Sequence, residues 1–122
     1  MVKICHLASI MRPTLLKNIF NYNVPILGIC YGLQLLVEEF GGSVNNSEVG
    51  EYGPSKIDIK LNDYLFKDIT STMNAWMSHG DRIETMPDDW KITSQSENGI
   101  VSSVQNQGNN IFGVQFHPEV VH

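Results

Sequence analysis

The sequence predicts an α/β fold, a sheet flanked by helices, and three stretches carry that reading. Residues 24 to 29, VPILGI, are apolar at nearly every position, as in a central strand of a parallel sheet that is covered on both faces. From Leu33 the period changes. Leu33, Leu36, Val37 and Phe40 fall at i, i+3, i+4 and i+7, with Gln34, Glu38 and Glu39 off that stripe, which is the pattern of an amphipathic helix. In KIDIKLND, residues 56 to 63, Ile57, Ile59 and Leu61 alternate with Asp58 and Lys60, the two-residue period of a half-exposed strand.

The remaining elements follow in order. VKICHLA, residues 2 to 8, reads as a short strand, and Pro13 opens a helical stretch, PTLLKNIF, with Leu15, Leu16, Ile19 and Phe20 as its apolar stripe and Asn21 and Asn23 at its end. Gly41 and Gly42 stop the helix that begins near Leu33. Short strands are expected at 74 to 77, 91 to 96, 100 to 105 and 111 to 116, where β-branched and aromatic residues cluster between turn sequences such as ENG and QGNN. Helix-flanked strands therefore come first and a meander second. At 122 residues and 42% hydrophobic content, with no repeat, low-complexity tract or linker, residues 1 to 122 are expected to form a single domain.

Charge and cysteine usage exclude several classes. The net charge of -5 arises from 13 acidic and 8 basic side chains that form no block, and a nucleic-acid partner would require clustered Lys and Arg. No apolar run is long enough to span a bilayer, so no membrane association is expected. MVKICHLASIMRP lacks the charge and apolar length of a signal peptide, so a cytoplasmic location is expected. Cys5 and Cys30 show no CxxC spacing, which argues against a zinc knuckle or redox pair. A disulfide between them stays open on arithmetic alone, while a reducing compartment favours free thiols.

GICYG, residues 28 to 32, sits where the buried strand passes into the amphipathic helix and has the G-x-nucleophile-x-G form of a nucleophile elbow. A side chain presented at so sharp a turn needs a strained backbone and small neighbours. The free N–H groups and positive dipole of the helix start would favour thiolate. Free cysteine is also among the most often buried residue types, so the pentapeptide alone fits a packed core thiol as well as a nucleophile.

A second motif shifts that balance. In IFGVQFHPEVVH, His117 follows an apolar strand and Glu119 lies two residues on. An imidazole base needs its second ring nitrogen held by an acceptor, and Glu119 can serve if the chain turns at Pro118. Cys30, His117 and Glu119 would then form an activated-nucleophile triad with a thiol. The competing readings are a strand-end histidine or a metal site of His117, Glu119 and His122. The internal proline prevents the helix that would converge those ligands, so no metal is expected.

The elbow, the distal HPE and the glutamine of CYGLQ together resemble the class I glutamine amidotransferase family. Tyr31, the EYG of residues 51 to 53, WMSHGD at 76 to 81 and GVQFHPEVVH resemble its GMP synthetase branch, and the likeness runs from about Pro13 to the last residue. The resemblance implies a flavodoxin-like sheet with flanking helices, incomplete at the N-terminus. It further implies that Cys30 attacks the side-chain amide of glutamine, His117 passes the proton to the leaving ammonia, Glu119 orients His117, and the backbone N–H of Tyr31 contributes to the oxyanion hole. Gln34 would help hold the substrate, and Ser78, Gly80 and Asp81 would lie over its α-amino and α-carboxylate groups. For these the bland alternatives are a solvated helix residue and an ordinary turn. His79 and Trp76 read as structural, and Glu51 and Tyr52 as facing a partner or the substrate entrance.

The resemblance also implies a partner, a GMP synthetase ATP-pyrophosphatase subunit or domain that holds ATP and Mg²⁺ and uses the ammonia to convert XMP to GMP, with no cofactor in this chain. The chain departs from the family ahead of the nucleophile strand. The Gly-rich GGP loop that supplies the second oxyanion N–H has no counterpart in MVKICHLASIMR. Loss of one such donor costs on the order of hundreds-fold in rate, which leaves a second expectation: a catalytically silent amidotransferase-like module with a regulatory or interaction role.

Overall fold

A computed structural model of the chain describes residues 3–5, 24–61, 64–69, 71–106, 108 and 110–120. Among the described residues the strands are β1 (Lys3–Cys5), β2 (Ile26–Ile29), β3 (Ser43–Ile59), β4 (Thr72–Thr85), β5 (Lys91–Ser96), β6 (Val101–Gln105) and β7 (Ile111–Val114), with one helix, α1 (Tyr31–Glu39), and a 3₁₀ turn at Tyr64–Phe66. They form a seven-stranded sheet in the order β1-β2-β7-β6-β5-β3-β4. The β1, β2 and β7 strands run parallel and the remainder pair antiparallel. The helix expected over 13 to 20 lies outside the described residues.

The apolar run VPILGI is the central parallel strand it was read to be. Ile26 and Gly28 face α1, while Leu27 and Ile29 face the opposite layer. On the helix side Ile26, Leu35, Leu36 and Ile111 pack together, and Leu33 and Val37 join Ile83 and Val104. On the other side Ile29, Ile57, Met77, Val114 and Phe116 close against Phe66 of the 3₁₀ turn.

Helix α1 is more buried than its stripe predicts. Leu35 and Gln34 are buried, whereas Phe40 is 42% exposed and tilts against Trp90 at 5.4 Å between ring centroids. The helix stops as its glycines require. Gly41 adopts φ 96°, Gly42 N–H donates to the Val37 carbonyl at 2.8 Å and Gly41 N–H to that of Glu38 at 3.2 Å, the paired bonds of a Schellman motif.

The strand expected at 56 to 63 is the end of a much longer one. β3 begins at Ser43 and runs through NNSEVGEYGP, residues whose composition reads as loop. Its ladder with β4 sustains it, with a register shift between Asn46 and Glu51. Pro54 pairs with Trp76 of β4 and is tolerated because β3 meets β5 only at Ile57, Asp58 and Ile59, which leaves no β5 ladder at Pro54 that would need its N–H. Likewise β4 is 14 residues where four were expected.

Candidate active site

The site forms at the carboxyl ends of β2 and β7, where the chain turns into α1. Cys30 occupies φ 54°, ψ -107°, a conformation that non-glycine residues seldom adopt. Its N–H donates to the Val114 carbonyl at 2.7 Å, which ties the bend to β7. Two glycines make the bend possible. A Cβ on Gly28 would sit 2.8 Å from both the Gly32 carbonyl carbon and the Leu33 nitrogen, and one on Gly113 would overlap the Leu33 side chain. With both absent, α1 lies directly on the two strands and carries Cys30 at its head.

The Cys30 thiol is free and partly exposed. It donates to the Ser78 carbonyl at 3.5 Å and receives the Gln115 amide at 3.5 Å. Burial pushes the thiol above the ordinary range, opposed by the backbone N–H of Tyr31 and the Gln115 amide, while the Glu119 charge pushes it further up. The Tyr31 N–H at the helix start acts in the direction expected, toward thiolate, and is the smaller effect. Desolvation outweighs the donors.

His117 lies three residues beyond the end of β7. Its N–H donates to the Trp76 carbonyl at 2.8 Å, anchoring it to β4, and the Val120 N–H returns to the His117 carbonyl at 3.2 Å. The chain thus turns at Pro118, which brings Glu119 Oε2 to 3.2 Å from His117 Nδ1. In the neutral ring, with Nδ1–H donating to the carboxylate, Nε2 keeps its lone pair. That tautomer is the one a proton acceptor needs.

Gln34 is not a solvated helix residue. At 5% exposure, its amide nitrogen donates to Gln115 Oε1 at 3.1 Å and to the Asp81 carbonyl at 3.4 Å. Ser78, Gly80 and Asp81 are not an ordinary turn either, since all three lie within β4, opposite β3. Gly80 sits beneath Tyr52, whose hydroxyl would be 3.3 Å from an added Cβ. Cys30, Gln34, Ser78 and Asp81 are thus joined by hydrogen bonds through backbone carbonyls and Gln115. Among the described residues, no group of three or more His, Cys, Asp or Glu converges as a metal site would require.

Two features escaped the sequence reading. Gln115, fully buried beside the thiol, is a polar residue in an otherwise apolar run between Phe112 and Phe116, and that interruption was the available signal. The other is the pairing of His79, read as structural, with Glu51, read as facing a partner or the substrate entrance: both are buried, opposite each other on β4 and β3, with His79 Nε2 2.9 Å from Glu51 Oε1 and His79 Nδ1 2.6 Å from the Asp81 carbonyl. Beside it lies a cavity of about 630 Å³ whose walls include Asn46, Glu51, Arg82 and Asn98 but not Cys30. No described helix is long and apolar enough to cross a membrane.

Comparison with known proteins extends this picture. The family model for class I glutamine amidotransferases matches residues 9–122. A GMP synthase (glutamine-hydrolyzing) of Petrotoga mobilis is 47% identical over 114 residues, covering 93% of this chain and 22% of that protein. The corresponding protein of Clostridium perfringens is 44% identical over 110 residues, covering 90% and 22%. The chain thus spans about a fifth of the length of these relatives. Among solved structures, one from Thermoplasma acidophilum, described as that of a candidate GMP synthase subunit, superposes with a TM-score of 0.84 at 34% identity, covering 89% of this chain and 55% of that one. The flavodoxin-like sheet, the cysteine at its strand-to-helix bend and the family match agree, and the chain belongs to the class I glutamine amidotransferases.

Proposed function

We propose that this chain hydrolyses glutamine to glutamate and ammonia and supplies the ammonia to a GMP synthetase partner, within one amidotransferase unit. The observation that carries the reading is Cys30 itself, held in a strained conformation at the head of α1. Strain of this kind costs of order 1–3 kcal/mol, and it serves to present a reacting group.

In this reading the protonated thiol is activated only when substrate arrives. The lone pair of His117 takes the thiol proton as sulfur attacks the amide carbon, and the Tyr31 N–H stabilises the oxyanion that forms. The tetrahedral intermediate collapses with the proton returned from His117 to the departing nitrogen, releasing ammonia and leaving a thioester on Cys30. Water, deprotonated by His117, then cleaves the thioester to glutamate and restores the thiol. Glu119 holds the ring through Nδ1 and stabilises the imidazolium at each transfer. Delivery within an assembly keeps the ammonia from being protonated in bulk water. ATP and Mg²⁺ belong to the synthetase in this scheme.

The test uses the full-length protein with its synthetase. Cys30→Ala should abolish glutamate release and glutamine-dependent GMP formation while leaving amination from ammonium salts intact. Glutamine-dependent GMP formation that survives Cys30→Ala contradicts the proposal. Absence of glutamate release from the unaltered protein would instead assign the chain to the silent, interaction-module class.

A further inference from the structure

The hydrogen bonds around Cys30 do not end at the site. From Cys30 Sγ they pass to Gln115, from Gln115 to Gln34, and from Gln34 to the Asp81 carbonyl. That carbonyl also accepts from His79 Nδ1, whose Nε2 meets Glu51, and Glu51 Oε2 in turn accepts from Asn98 Nδ2 at 3.0 Å. One polar chain thus links the nucleophile to Asn98 in the turn between β5 and β6.

The chemistry of the inner pair constrains it. A carbonyl oxygen can only accept, so His79 Nδ1 carries a hydrogen. Nε2 then shares a proton with Glu51, either as imidazolium against carboxylate or as imidazole against carboxylic acid. The side chains are 3% and 5% exposed, so in the intact pair each is the other's partner in place of water. An uncompensated member of such a buried pair is costly, and relief comes from moving the backbone that the pair holds. That backbone is the stretch of β4 from Ser78 to Asp81, whose carbonyls at both ends touch site residues. Gly80 at its centre has no side chain of its own to fix it.

We propose that Glu51, with Asn98 behind it, is a positioning residue for the glutamine-binding segment Ser78–Asp81, acting through His79 rather than by touching the substrate. Glu51 aims the imidazole, the imidazole fixes the Asp81 carbonyl, and the carbonyl sets the height of the segment over the substrate's α-amino and α-carboxylate groups. Asn98 fixes the second carboxylate oxygen. The contribution falls on substrate affinity because that segment holds parts of glutamine that do not react.

This inference rests on the glutamine-hydrolysing reading, and the experiment separates the two. In the full-length protein with its synthetase, Glu51→Ala and Asn98→Ala are compared with Glu51→Gln, which keeps the shape and one acceptor. The expected result is a KM for glutamine raised about ten- to a hundredfold in Glu51→Ala, less in Glu51→Gln and Asn98→Ala, with kcat within about threefold of the parent. Alkylation of Cys30 by iodoacetamide, which has no amino-acid end to recognise, should keep its rate within about threefold. An unchanged KM overturns the inference, as does a fall confined to kcat with a lower melting temperature and faster alkylation, since loosened packing alone produces that pattern. If the parent protein releases no glutamate, the functional reading fails and takes this inference with it.

Discussion

At the scale of single residues, the tension at Cys30 lies between backbone strain and chemical use. Its φ of 54° favours glycine, so Cys30→Gly should relieve the strain that Cys30→Ala retains. Allowing for the greater freedom glycine gains in the unfolded chain, the Gly variant should be more stable than the Ala variant by about 1 kcal/mol. Both should be inactive, and paired denaturant titrations measure the difference. A second prediction concerns the thiol's ionisation. Because burial raises it above the ordinary thiol range, iodoacetamide alkylation of Cys30 should climb with pH to a midpoint above that of an unstructured cysteine peptide. Gln115→Leu removes a donor that favours thiolate, so its midpoint should move further up. A midpoint at or below that of the free peptide would contradict the burial argument.

At the scale of elements, the bend depends on what is missing from Gly28. A methyl group there would press into the backbone at Gly32 and Leu33, which cannot yield without moving α1 off β2. Gly28→Ala should therefore cost about 1–3 kcal/mol and displace the cysteine, seen as a lowered melting temperature together with loss of glutamate release. This junction was legible in the sequence because its cause is local: a six-residue run of apolar residues with one glycine, then a thiol, then a 3.6-residue period appear in order within Val24 to Phe40. The long ribbon of β3 and β4 was not. Its Asn, Gly, Pro and Ser content matches turn chemistry, and what keeps it extended is cross-strand pairing between residues as far apart as Ser43 and Thr85. For the same reason Glu51 and His79 could not be joined by inspection, since they meet only through the register of that ribbon. His117 and Glu119 could be joined, two residues apart across a proline turn.

Across the whole molecule, β7 is the seam. It pairs parallel with β2 and antiparallel with β6, so the parallel part of the sheet, which carries Cys30, and the antiparallel part, which carries Ser78 to Asp81, share one frame. Leu33 fastens that seam from above. It is fully buried, lies over Gly113 of β7 and packs with Ile83 of β4 and Val104 of β6. Leu33→Ala should cost about 2–5 kcal/mol, and calorimetry should show one transition lowered as a unit rather than two separated ones. Two separated transitions would mean that the parallel and antiparallel parts fold independently.

The central claim is that the Cys30 sulfur reacts with the side-chain carbonyl region of glutamine, and covalent labelling reaches it most directly. The full-length protein is exposed to 6-diazo-5-oxo-norleucine, an electrophilic glutamine mimic, with and without excess glutamine, and the adduct is located by mass spectrometry. One adduct is expected on Cys30, suppressed by glutamine and absent from Cys5. An adduct on Cys5 alone, or labelling of Cys30 that glutamine does not slow, would contradict the claim.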